Sequence, residues 1–346
     1  MEVATPLEEV STQDLEEQLA KSQKKSRKSQ LIKIAVIVLV FVFLAKKGLV
    51  SVEATKKAFT RLDLLGPAFV GLISLNFLAF IRWHLLLRAQ QLIIPFSETI
   101  KLVFIGNFFN LALPGAVSGD FVKAYLIGKA VQGRRGLAFG SILFDRVTGL
   151  SALIFVSAGA LALRFNEFVH SSWFLAIRVS ITTFAVGVFV FYSYLFLVRE
   201  KHDPVLILLK VLQRKWPIFI GVTNTYLGLR YYHNHKLTVI VALAISIVTH
   251  LCVCWAMSVF VLALGDDTLN FVSIAVIAPL GMLVTAIPVL PAGVGTGHAA
   301  YSWLFHLLGS ERGADVFNLF IFTQLITGAI GGAVYLAYRN RDKVKK

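Results

Sequence analysis

A phrase that occurs twice constrains this chain more than anything else in it. Leu113–Asp120 reads L-P-G-A-V-S-G-D, and Leu290–His298 reads L-P-A-G-V-G-T-G-H. Both lie in long apolar stretches, where proline and glycine oppose a continuous helix. The copies begin 177 positions apart in a chain of 346 residues. Paired Gly/Pro-broken hydrophobic segments in two halves of a chain point to the substrate site of a duplicated membrane transporter.

Composition supports a membrane setting. Hydrophobic residues make up 57% of the chain and charged residues 15%, against about 25% charge in a soluble domain. Hydrocarbon leaves helices or a closed barrel as spanning structures. Long unbroken apolar runs select helices, since barrel strands are alternating segments of about ten residues. Cys252 and Cys254 stand two apart on one apolar helix and point in different directions, so neither a disulfide nor a metal motif is expected. The formal charge of +15 belongs to residues flanking membrane segments. It reads as topology and attraction to anionic lipid rather than to nucleic acid.

Residues 1–30 read as a polar cytoplasmic tail, with neither the basic start nor the cleavage site of a signal peptide. Spans of about 20 apolar residues are expected at Leu31–Val50, Leu64–Leu87, Leu137–Leu163, Trp173–Val198, Leu237–Leu264 and Val316–Tyr338. Two further regions are apolar but broken. Ser97–Val131 is interrupted at Pro114, Gly115 and Gly119, and Leu269–Leu308 at Pro288, Pro291, Gly293, Gly295 and Gly297. Each reads as a re-entrant helical hairpin.

Charge supports that reading. With the basic N-terminus in the cytoplasm, re-entry keeps the basic loop Arg199–Lys236 inside, together with Arg82, Arg88, Lys101, Lys123 and the tail 339–346. Lys46, Lys47, Lys56, Lys57 and Arg61 are the cost of this arrangement, since they fall outside. The expected fold is therefore all-α and polytopic, with about six spans and two hairpins. Residues 31–163 form a first membrane repeat and residues 173–338 a second, in inverted topology, as in many transporters.

Charges deep in a membrane helix cost roughly 2.5–3.5 kcal/mol on insertion scales and need a reason. Asp145 and Arg146 lie about a third of the way into a span and point about 100° apart, so each meets a different element. They read as a coupling acid and an anion-binding cation, or as ion pairs that fix helix packing. Asp120 and Lys123 share a helix face after the first break. Asp120 reads as a helix cap or a site carboxylate, and Lys123 as a phosphate attractor or a snorkelling cation.

Asn107 and Asn110, before the break, satisfy freed backbone groups or line a polar path. His298, followed by Tyr301, reads as a proton carrier or as a brace for the turn. Exposed N–H groups at both broken helix starts favour a phosphate or carboxylate. His250 reads as a packing residue, and Gln324 and Thr327 as faces toward the hairpins or bonds between helices.

There is no GxxxxGK[ST] nucleotide motor, no HExxH and no GxSxG, so neither a cofactor nor a metal is expected.

The runs N-F-F-N-L-A-L-P-G-A-V-S-G-D-F-V-K-A-Y-L, F-D-R-V-T-G-L and L-P-A-G-V-G-T-G-H-A-A-Y resemble the transmembrane domain of the lysylphosphatidylglycerol synthase family, also called the flippase-like domain family. The resemblance covers about Leu31 to Tyr338. It matches Asn110, Pro114, Gly119 and Asp120 to the first family motif, and Asp145 and Arg146 to the acid–Arg pair. In multiple peptide resistance factors this domain precedes a soluble aminoacyltransferase, which is missing here. The resemblance thus implies lipid translocation without lipid aminoacylation, and some relatives are associated with polyprenyl-linked sugars. Two positions depart from the family. Lys123 stands where it often has Arg, and His298 stands where its P-G-G-x-G-x-x-E pattern has Glu.

The expectation is an inner-membrane flippase for a phospholipid or another anionic, aminoacylated or polyprenyl-linked lipid, with both termini cytoplasmic. Translocation residues are Asn107, Asn110, Pro114, Gly119, Asp120, Lys123, Arg146, Pro291, Gly293, Gly295, His298 and Tyr301, with Asp145 and His298 as coupling candidates. The alternatives are an integral-membrane transferase acting on a lipid-linked donor, or a non-catalytic partner of a separate lipid or glycan synthase. A homo-oligomer fits any of the three.

Overall fold

The computed structural model of the protein describes residues 52–112, 118–131, 134–163, 172–287 and 293–344. Every regular element among them is helical. In chain order they are α1 (Val52–Phe59), α2 (Leu62–Ala89), α3 (Phe96–Ala112), α4 (Ser118–Ala130), α5 (Arg135–Leu163), α6 (Ser172–Leu197), α7 (Pro204–Lys215), α8 (Phe219–Arg230), α9 (Lys236–Ala263), α10 (Phe271–Thr285), α11 (Thr296–His306) and α12 (Gly313–Val344).

Five of these, α2, α5, α6, α9 and α12, are long and apolar enough to cross a membrane. They match five of the expected spans, with ends shifted by a few residues and α12 running on past Tyr338. The expected span Leu31–Val50 and tail 1–30 lie outside the described residues, as do Pro114, Pro288 and Pro291. Lys56 and Lys57, between the first two expected spans, lie on the short helix α1.

The two broken regions each form a pair of short helices. α3 and α4 have 17 and 13 residues, and α10 and α11 have 15 and 11. At about 1.5 Å per residue each falls short of the ~30 Å hydrocarbon core. The limbs of each pair fold back on one another. A Cβ on Gly119 of α4 would lie 1.9 Å from the Gly106 carbonyl oxygen of α3, and one on Gly106 would lie 2.9 Å from the Lys123 side chain. In the second pair, a Cβ on Gly281 of α10 would lie 2.5 Å from the Tyr301 ring of α11.

Gly119 and Gly297 were expected to interrupt their helices, but each is the second residue of one. They serve close approach instead: Gly297 leaves room for the Phe317 ring, which a Cβ would meet at 2.1 Å. Backbone freedom is needed at Gly293 and Gly295, with φ of 69° and 86°, a left-handed region costly to other residues.

Packing repeats itself between the halves. α2 packs on α9. α3 packs on α12, as α10 packs on α5, and α5 packs on α9 while α12 touches α2. Within the halves α4 meets α5 and α11 meets α12, while α2 meets α3 and α9 meets α10. The two hairpins and their flanking spans thereby enclose one central volume.

The connector α7–α8 is tied to the end of α6 by a buried hub. Asp203 accepts from the Leu206 backbone N–H at 3.0 Å, from Tyr194 Oη at 2.7 Å and from Tyr226 Oη at 2.8 Å. Arg230 Nε lies 3.0 Å from the same carboxylate. Its guanidinium also donates to the Leu195 carbonyl at 3.1 Å and to the Val198 carbonyl. Burial alone raises the Asp203 pKa, but the tyrosine and backbone donors and Arg230 outweigh it, so the carboxyl stays below its ordinary value.

Candidate functional site: a charged cavity between the hairpins

Between the hairpins lies a cavity of about 440 Å³, within the 300–1,000 Å³ typical of small-molecule sites. Helices of both halves of the chain line it: α2, α3, α4 and α5 supply the first-half side of the lining, and α9, α10 and α12 the second-half side, the two sets interleaved where α2 packs on α9 and α3 on α12.

The first side carries ionic groups. Asp145 of α5 accepts both ends of a fork from Arg82 of α2, Nε at 2.7 Å and Nη2 at 3.0 Å. Bidentate pairing fixes orientation as well as charge. Arg82 Nη1 also donates to Ser246 Oγ of α9 at 2.8 Å, linking the two sides. The next residue, Arg146, turns to α4 and donates through Nε to Asp120 Oδ2. Asp120 also faces Lys123 Nζ at 2.9 Å, and that ammonium sits 4.8 Å from the Trp83 ring centroid.

Two carboxylates therefore meet three cations. Asp120 and its partner Lys123 are buried, whereas 43% of the Arg146 side-chain surface stays accessible. Arg146 is thus the member of the network best placed to take a further anion.

Two asparagines order this wall. Asn110 Oδ1 accepts from the Gly119 backbone N–H at 2.7 Å, a free donor in the first turn of α4. Asn107 Nδ2 donates to Asn76 Oδ1 at 2.9 Å, and both line the cavity. Asn110 thus satisfies a backbone donor and also lines the cavity.

The second side is neutral. Thr249, His250, Thr285, Thr323, Gln324 and Thr327 line it among apolar residues. His250 Nε2 donates to the Gly149 carbonyl at 3.2 Å, while its buried Nδ1 has no hydrogen-bond partner among the described residues.

Of the sequence-selected residues, Asn107, Asn110, Lys123, Asp145 and Arg146 line the cavity. Asp120 and Gly119 stand directly behind them. His298 and Tyr301 lie in the second hairpin, outside the lining. The Gly295 N–H donates to His298 Nδ1 at 3.2 Å, so Nε2 carries the proton toward Asn318 Oδ1 at 2.7 Å. The ring also stands edge-on to Phe317 at 4.9 Å. Tyr301 is fully buried and donates to the Ala278 carbonyl at 2.9 Å, tying the limbs together. Gly293 and Gly295 shape the approach to α11.

Sequence reasoning counted Arg82 only as a cytoplasmic topology charge, yet it is turned inward against Asp145. Position carried the missed signal for Arg82. It lies well inside an apolar span, where a cation needs a partner. Among the described residues no three His, Cys, Asp or Glu side chains converge as a metal site.

A family model described as the lysylphosphatidylglycerol synthase TM region matches residues 30–337. The chain belongs to that family. It is also similar to a UPF0104 membrane protein of Pyrococcus horikoshii, 24% identical over 316 residues, covering 84% of this chain and 90% of the relative. No solved structure matches it. Membership makes this a multi-pass membrane protein of a lipid-related family.

Proposed function

We propose that the chain is a flippase that carries an anionic amphiphilic lipid between leaflets, with the headgroup in the central cavity and the acyl chains in lipid. The carrying observation is the sharing of Asp120 between Lys123 and a half-accessible Arg146, which leaves a cation facing a polar cavity. A headgroup crossing bare hydrocarbon loses several kcal/mol for each unsatisfied polar group; Arg146, Lys123 and the asparagines stand in for its water.

The matched packing of the halves supports an inverted repeat with two hairpins; on this reading the chain has six spans in the inner membrane and keeps both termini in the cytoplasm. Phospholipids and polyprenyl-phosphate lipids both supply the required anion. A separate synthase partner and a homo-oligomer are compatible with this arrangement.

The transferase reading is less well served. Both cavity carboxylates are ion-paired, and a carboxylate held by cations is a weak base.

Leaflet exchange in proteoliposomes tests the proposal. Fluorescent phospholipids are reconstituted and the outer leaflet is quenched. Protein-dependent loss of the protected fraction, abolished by Arg146→Ala in folded protein, is expected. Unchanged exchange in that variant sinks the role of Arg146, and a chemically altered lipid by mass spectrometry favours the transferase.

A further inference from the structure

The two halves of the cavity match in position but not in charge. The offset of 178 positions that carries Gly119 to Gly297 also carries Asp120 to His298 and Lys123 to Tyr301. The same offset carries Asp145 to Thr323 and Arg146 to Gln324. The structure supports this register. Lys123 packs over Gly106 as Tyr301 packs over Gly281, and these glycines are each the eleventh residue of α3 and α10. Each of these four ionic groups of the first half thus has a neutral or titratable counterpart. Among the described residues, no Asp, Glu, Lys or Arg of the second half lines the cavity.

The threonine hydroxyls of the second-half lining share one kind of bond, each donating to a backbone carbonyl three or four residues earlier. Thr249 donates to the Ile245 carbonyl at 2.8 Å and Thr285 to Met282 at 2.7 Å. Thr323 donates to Leu319 at 3.3 Å and Thr327 to Thr323 at 3.0 Å. A hydroxyl has one donor hydrogen and two acceptor lone pairs. With the hydrogen committed to backbone, each threonine offers the cavity an acceptor. Gln324 adds an amide with both functions.

From this asymmetry we infer that the carried headgroup is a phosphodiester whose second alcohol is an uncharged polyol or sugar, the phosphate on the Arg146 side and the hydroxyls on the threonine side. The inference rests on the flippase reading and narrows it. An aminoacylated or otherwise ammonium-bearing headgroup lacks a carboxylate on the second wall. It also meets the surplus cation of the first, and protonation of His250 would only add to that repulsion. A bare phosphate monoester lacks donors for the threonine acceptors.

The test is exchange of four fluorescent lipids in proteoliposomes: phosphatidylglycerol, phosphatidylinositol, phosphatidic acid and the lysyl ester of phosphatidylglycerol. Each is run with the parent chain, with Thr323→Val, Thr327→Val and Thr285→Val, and with Arg146→Ala. The polyol lipids are expected to exchange fastest. Each isosteric threonine loss should lower their preference over phosphatidic acid by about two- to tenfold, the worth of one hydrogen bond.

Equal or faster exchange of the lysyl ester, or of phosphatidic acid, overturns the inference while leaving the flippase intact. An undiminished polyol preference in all three folded valine variants removes the threonine wall from it. No exchange of any of the four by folded protein fails the flippase reading itself.

Discussion

Arg82 and Asp145, 63 positions apart in sequence, meet through two parallel hydrogen bonds of 2.7 and 3.0 Å that join α2 to α5. The pair does not stand alone: Arg82 continues to Ser246 of α9, so one guanidinium joins α2, α5 and α9. Removing one partner of a buried ion pair leaves an uncompensated charge and costs about 3–5 kcal/mol, whereas replacing both by apolar groups is often neutral. Arg82→Ala and Asp145→Leu are therefore expected to lower the thermal midpoint in detergent sharply, and Arg82→Met with Asp145→Leu to recover most of it. If the single variants melt like the parent, the pair does not hold these helices together.

Close approach in the first hairpin gives a second prediction. A methyl on Gly119 has no space beside the Gly106 carbonyl, and moving the limb also breaks the Asn110 bond to the Gly119 N–H. Gly119→Ala should abolish monodisperse protein on size exclusion. Gly187→Ala, in α6 with nothing within 4 Å of the added Cβ, is the control. It should be neutral or stabilising by up to about 1 kcal/mol, since alanine is the better helix residue. Equal yields from the two variants would contradict the packing described.

Five of the spans and the two broken helix pairs were legible because hydrocarbon leaves little choice: apolar length reports spans, and Pro or Gly inside it reports breaks. Asp145 and Arg146 were legible for the same reason, as charges where charge is expensive. Arg82 was misread because positive-inside bookkeeping absorbed it as a loop-flanking cation, although it lies well inside its span. Lys123 shared a helix face with Asp120 in the sequence, and the structure pairs the two. Of the threonines that line the cavity, Thr327 was singled out with Gln324, while Thr249, Thr285 and Thr323 looked like packing threonines and differ from them only in lining a cavity. Gly119 looked like a breaker because glycine for a turn and glycine for close contact are the same letter.

His298 makes a prediction about protons. Its Nδ1 accepts from the Gly295 backbone and its Nε2 donates to Asn318, so both nitrogens are used by the neutral ring. Protonation at Nδ1 would set two donors against each other at Gly295. Glutamine offers an oxygen and an amide NH₂ for the same two partners. His298→Gln should keep both the fold and the pH profile of lipid exchange, while His298→Ala should lose thermal stability. A proton-gradient response present in the parent and missing in a folded His298→Gln would instead make His298 the carrier.

The Asp203 hub should set the acid limit of the connector. Its carboxylate is fully buried and takes two tyrosine hydroxyls, one backbone N–H and the Arg230 charge. The resulting pKa lies below that of an ordinary aspartate. The sign follows from linkage: a group with a depressed folded pKa contributes its full stability above its unfolded pKa, and loses it as pH falls through the folded one. Asp203→Asn keeps the shape but loses the charge, and it leaves Arg230 buried without its counterion, at a cost of about 3–5 kcal/mol. The parent should therefore exceed Asp203→Asn in thermal midpoint at neutral pH, with the gap narrowing only below about pH 4. A gap that closes already near pH 6 would mean that a histidine, not Asp203, carries the acid sensitivity of this corner. His233, whose Nδ1 lies 2.8 Å from the Leu195 carbonyl beside the hub, would be the residue to replace next.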